Sequence, residues 1–256
     1  MAPSNRAPWL DTGLVSAYNM TGSLSFVHVR GSGAITNAGF TEVSSLGGAD
    51  NWLTVAQAAP VRIRAGGNVA DTAAGAGCQS IKIVFLDTDL AIQNATIVTA
   101  GASASAATSL SLFRLLSMKV QDAGTYGGLN AGNITLETTA GTAVGQIAAG
   151  IGRMHALRYT VPAGYKFVHR RTSLTCNNTV AFSPRLMERV DCTTATAPFG
   201  RTLVHEQREI GILAKFVSEQ ESPDIHDAGT DIWMTAKSSG AAFTATGGFD
   251  GDLIKL

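Results

Sequence analysis

From Pro60 onward the chain repeats one device: a short run of alternating apolar and polar residues, closed by glycine, asparagine or aspartate. PVRIRAGG sets Val61 and Ile63 against Arg62 and Arg64 before the Gly-Gly break, and SIKIVFL puts Ile81, Ile83 and Phe85 on one face before Asp87-Thr88-Asp89. A period of two marks a strand with one buried face, and breaks every 8 to 12 residues or so mark a sandwich or barrel. Two segments invite a helix instead. In SLFRLLSMKV the spacing of Phe113, Leu116 and Val120 is helical, but the apolar density and the lack of a capping signature favour a buried strand. In TLVHEQREIGILAKF, from Thr202 to Phe216, Gly211 weakens the helix. The expectation is an all-β chain, a β-sandwich or jelly-roll-like fold. It comprises an extended N-terminal arm with short strands (1–58) and two stacked β lobes (59–156 and 157–256).

YTVPAGYKF, from Tyr159 to Phe167, reads as a corner. Pro162 presets φ for the first central position of a turn, and Gly164 tolerates the left-handed conformation that closes a three-residue hairpin. Tyr159 and Val161 share a face that Tyr165 and Phe167 continue, so the expectation is a β-hairpin.

The arm is built differently. Pro, Gly, Asn and Ser surround isolated large groups, Trp9, Phe26, Phe40 and Trp52, with a strand over Leu24 to Val29. Large aromatics on a segment with little core of its own are candidate assembly contacts. Composition points the same way. Charged residues are 15% of the chain, against roughly 25% in an average globular protein, and 19 basic side chains balance 19 acidic ones. His169-Arg170-Arg171 is the longest basic cluster, too short for a phosphate-binding surface, so no nucleic acid is expected. Such a surface suits either burial in an assembly or a coat of Ser, Thr, Ala and Gly. The start of the chain has no secretory signal pattern, and no apolar run approaches the roughly 18 residues of a membrane span, so no membrane is expected.

Candidate chemistry is sparse. Cys78, Cys176 and Cys192 lack CxxC spacing and read as small core residues of a protein made in the cytoplasm, with a Cys176–Cys192 pair as the alternative. Asp87-x-Asp89 offers two carboxylates, but a Ca²⁺ site takes about 6 to 8 oxygens, and Asp is a routine turn former. Glu219, Glu221, Asp224, His226 and Asp227 form the densest polar cluster; Pro223 and Gly229 make it an exposed loop, dispensable for stability. Histidines 28, 155, 169, 205 and 226 show no ligand spacing, and GxSxG, P-loop and GxGxxG motifs are missing. GSGAITNAG, over 31–39, has neither the lysine nor the helix of a phosphate cradle. The expectation is no enzyme, no cofactor and no metal. A carbohydrate-binding sandwich remains the rival class, although Tyr126, Tyr165 and Trp233 are not clustered in sequence.

VRIRAGGNVADTAAGAG, TAGASASAATS, FRLLSMKVQDAGTYGG, YTVPAGYKF and TDIWMTAKSSGAAFTATGGFDGDLI, in that order, resemble a family of structural proteins of tailed bacteriophages and prophages. The resemblance runs from about Pro60 to Ile254. The three cysteines are not features of that family, and 181–230 departs from it. The resemblance implies a virion component with no catalytic residues, made in the bacterial host cytoplasm. Its partners would be the major capsid protein or other virion proteins. A capsid decoration or cement protein, assembled as a homo-oligomer with a trimer favoured, is the first expectation, and a tail, neck or fibre component the second.

Overall fold

The computed structural model describes residues 24–44, 52–125, 129–177, 180–194, 199–202 and 215–256. The chain enters with β1 (Leu24–Ile35) and β2 (Thr41–Glu42). It continues through β3 (Ala59–Ile63), β4 (Cys78–Leu86), β5 (Ile92–Val98), β6 (Ser111–Leu112), β7 (Arg114–Ala123), β8 (Ile134–Thr138) and β9 (Ala143–Ile147). It returns with β10 (Arg158–Thr160), β11 (Tyr165–Cys176), β12 (Phe182–Arg189), β13 (Phe199–Thr202), β14 (Lys215–His226), β15 (Asp231–Ser238) and β16 (Phe243–Lys255). One short 3₁₀ turn, Val55–Gln57, is the only helical element among the described residues. SLFRLLSMKV is strand, as expected; most of the second helix candidate lies outside the described residues.

Strand pairing in the outer part of the chain is nested. β12 pairs β13, β11 pairs β14, β10 and β2 pair β15, and β1 pairs β16 from Leu24↔Ile254 to Ile35↔Phe243. This is one long hairpin, with its tip at β12 and β13, rolled into two antiparallel sheets ordered β1-β16-β11-β14 and β10-β15-β12-β13. That is the winding of a jelly roll. Its core lies between the sheets, where Phe167, Leu174 and Phe249 of one meet Leu186, Ile232 and Met234 of the other.

β2 and β10 are two halves of one strand position. Glu42 lies opposite Thr235, the Val43 N–H donates to Met234 O, and Arg158 lies opposite Trp233. Between the halves the chain leaves through a bridge of Ser44 with Ala156 to build a second sandwich, with sheets β6-β3-β8-β9 and β5-β4-β7. Its own core gathers Ile81, Ile83 and Phe85 with Leu112, Phe113 and Leu136. The alternation of β4, with every odd residue from Ile81 to Phe85 buried, supplies that face.

Three expectations change. The arm expected over 1–58 is, over residues 24–44, an edge strand and a half-strand of the jelly roll, with β1 running on to Ile35, while 52–58 leads into the second sandwich. YTVPAGYKF turns as expected, with Gly164 at φ +75° and the Tyr165 N–H donating to Pro162 O. It is nevertheless no hairpin: β10 pairs β15, β11 pairs β16 and β14, and the corner carries the chain from one sheet to the other. Tyr159 and Phe167 then face each other across the core, with ring centroids 5.3 Å apart. The polar cluster at 219–227 is mostly strand β14, and Pro223 sits where proline is tolerated, on a sheet edge.

Candidate functional site

The anchors proposed for assembly have different fates. Trp9 lies outside the described residues. Phe26, on edge strand β1, is 64% exposed and stacks on His28, whose Nδ1 lies against Asp250 Oδ1. Phe40 lies at the crossing from β1 to β2 with the Arg185 guanidinium 3.6 Å from its ring centre. Trp52 is committed within the chain. It opens the inserted sandwich, lies 5.5 Å from Trp233 of the jelly roll, and has Arg114 and Arg158 over its ring at 5.1 and 5.5 Å.

That tryptophan pair marks the seam between the two sandwiches, whose centre is a buried ion pair. Arg114, first residue of β7, reaches across to Asp231, first residue of β15, and both are buried. Nε donates to Oδ1 at 2.9 Å and Nη2 to Oδ2 at 3.1 Å, the two-pronged geometry suited to guanidinium and carboxylate. The remaining Arg114 donors go to carbonyls: Leu53 at 2.5 Å, Cys192 at 3.0 Å and Phe113 at 3.3 Å. Asp231 also accepts from Thr160 Oγ1 at 2.6 Å and from Arg189 at 3.4 Å. Two charges out of water persist only when so many partners replace hydration. Beside them Arg158 donates to Val144 O of the inserted sandwich and lies 3.9 Å from Glu42. Sequence reading missed this network because its members are distant in the chain, and the one visible trace was arginine in an otherwise apolar FRLL.

A cleft of about 260 Å³ beside the seam is lined by Trp52, Thr54, Arg189 and Thr193. Trp233, packed on Trp52, is buried and offers no stacking platform for a sugar. Tyr126 lies outside the described residues.

The acidic candidates serve the backbone. Asp87 Oδ1 accepts the N–H groups of Asp89 and Ala91, and Oδ2 accepts Gln93 Nε2, which is turn chemistry. The turn then docks on the 162–164 corner through Ala163 N–H to Leu90 O at 3.0 Å. Asp71, in the DTAAG loop, is buried and accepts from the N–H groups of Cys78, Ala131 and Gly132 at 2.7 to 2.9 Å. Gly77 is required there, since a Cβ would lie 2.2 Å from Asp71 Oδ1.

His226, expected in a solvated loop, is only 2% exposed; its Nδ1 lies 2.9 Å from Glu188 Oε1 and its ring stacks on Phe167. Asp227 is exposed and pairs with Lys166. The side chains of Glu219 and Glu221 lie outside the described set. Among the described residues no three His, Cys, Asp or Glu side chains gather as a metal site requires. All three cysteines are buried and outside any disulfide, and Cys176 lies in the jelly-roll core and Cys192 in the other, so the two are not joined. Burial, helped by Asp71, pushes the Cys78 thiol up to about 12, and burial beside Asp231 pushes Cys192 up to about 11.

No family model matches the chain, and no curated protein matches it. Among solved structures, "Structure of infectious bursal disease virus Gt strain" matches 91% of this chain and 72% of its own at 9% identity. The TM-score is 0.26, too low to carry an argument about fold or function.

Proposed function

We propose that the chain is a non-enzymatic structural protein of a bacteriophage virion, and that within the particle it decorates and cements the capsid. The observation that carries the reading is the jelly roll with a second sandwich inserted into one strand position, a two-part body joined by a buried seam. Jelly rolls recur in viral capsid and lectin domains, so this is an argument from fold-level analogy. The resemblance of the motif order to that of phage structural proteins supports the same class. The polar residues of the seam are consumed in holding two sandwiches together, which is work a particle component needs. Its partners would be the major capsid protein and further copies of itself, with a trimer on a local threefold as the favoured unit.

Copies per particle decide the placement. Purified particles should carry hundreds of copies, and added protein should bind capsids that lack it and raise their resistance to heat. A dozen copies or fewer would place the chain in the neck, tail or fibre instead, and absence from particles would end the virion reading.

A further inference from the structure

We propose that the free edge of β5 pairs with β5 of a second copy of this chain, antiparallel about a twofold axis at Ala95. β5 is the outer strand of the sheet β5-β4-β7. The Thr99 N–H donates to Gln79 O and the Asp87 N–H to Ala91 O, and the register Ile81↔Ile97, Ile83↔Ala95, Phe85↔Gln93 continues those hydrogen-bonded pairs. The backbone groups of Ile92, Asn94, Thr96 and Val98 therefore point away from β4, and no strand among the described residues meets them. A groove of about 400 Å³ opens between the C-terminal end of β5, from Thr96 on, and residues 105–108.

Exposed edges are normally blunted by charge, proline or cover. β14 carries Lys215, Glu219, Glu221 and Pro223, β1 carries His28 and Arg30, and at β9 the Arg158 guanidinium takes the carbonyl of Val144. β5 has none of these. No charged residue occurs from Leu90 to Phe113, a stretch that takes in both the strand and the small-residue run GASASAATS beside it. Ile92 and Val98 are nevertheless 43% and 56% exposed.

Self-complementarity selects the occupant. Lys82 of β4 lies across from Thr96 on the same face, so an incoming strand bearing Lys is repelled there, whereas β5 itself is neutral and matches its own pattern when reversed. About a twofold at Ala95, Ile92 falls opposite Val98 of the partner subunit and Asn94 opposite Thr96 of the partner subunit. Both exposed apolar groups are covered and the polar pair is matched, as an isologous contact requires. The contact depends on neither the virion reading nor the expected trimer.

Two measurements on the full chain test it. Asn94→Cys and Thr96→Cys chains, mixed and mildly oxidised, should form a covalent heterodimer, since paired residues about 5.5 Å apart at Cα suit a disulfide. Either variant alone should not crosslink through this site. Ile92→Lys with Val98→Lys should halve the mass read by light scattering, because exposed positions tolerate lysine in the single copy but repel across the axis. Absence of the mixed crosslink overturns the proposal, and so does a folded lysine variant of unchanged mass, which would place the contact elsewhere or leave the edge to another protein. If the lysine variant fails to fold, the crosslink decides.

Discussion

Gly164 has φ +75°, and a Cβ built on it would meet nothing within 4 Å, so its requirement is purely conformational. Gly164→Val should therefore destabilise by about 1 to 3 kcal/mol through backbone strain alone. Urea denaturation checks it, and an unchanged midpoint would refute the corner. Pro162 and Gly164 were legible in sequence because turn chemistry is local. Glu137 was not, because its partners lie on another strand. Hydrogen bonding to Arg64 above all, and to Arg62, lowers the Glu137 pKa, and burial opposes this. Because the folded-state value is depressed, the stabilisation is full above the unfolded carboxylate pKa and is lost as pH falls through the folded one. Glu137→Gln should accordingly flatten the acid limb of a stability profile recorded from pH 6 to 3 or so, and a limb of unchanged slope would refute the role.

At the level of elements, the period-two pattern located β3 and β4 well, since each declares its buried face in its own residues, whereas β7 was found from apolar density and a missing helix cap. Pairing partners were another matter. YTVPAGYKF has the turn residues of a hairpin, yet its two strands join different sheets, because the corner angle is set by what each strand packs against. β14 misled for a similar reason: a charged run with proline reads as loop, but an edge strand tolerates both. The expectation that Asp224, His226 and Asp227 are dispensable must be divided. Asp227→Ala should stay within about 0.5 kcal/mol, as exposed substitutions do. His226→Ala should cost on the order of 2 to 4 kcal/mol, because it empties a buried site against Phe167 and removes the contact with Glu188. Thermal unfolding of the two single variants separates them, and equal melting temperatures would restore the loop reading.

In the whole molecule, the nested pairing joins residues as far apart as Leu24 and Ile254, a relation that no local window of sequence contains. The insertion was hidden for the same reason: its boundaries are two half-strands that read separately as short, unrelated segments. The two cores it creates could in principle unfold apart, and the seam decides whether they do. Arg114 ties β7 of the inserted sandwich to Asp231 of the jelly roll and to the Cys192 carbonyl, while Trp52 packs on Trp233 across the same boundary. Removing Arg114 leaves the buried Asp231 with only Thr160 and the longer contact to Arg189, and breaking a buried pair costs about 3 to 5 kcal/mol, toward the lower end here. Arg114→Ala should therefore do more than lower stability. The intact chain should melt in one transition, and the variant in two, with the tryptophan signal of the seam changing before the far-ultraviolet signal of the sheets. A single coincident transition in the variant would mean that apolar contact across the boundary, rather than the ion pair, couples the sandwiches.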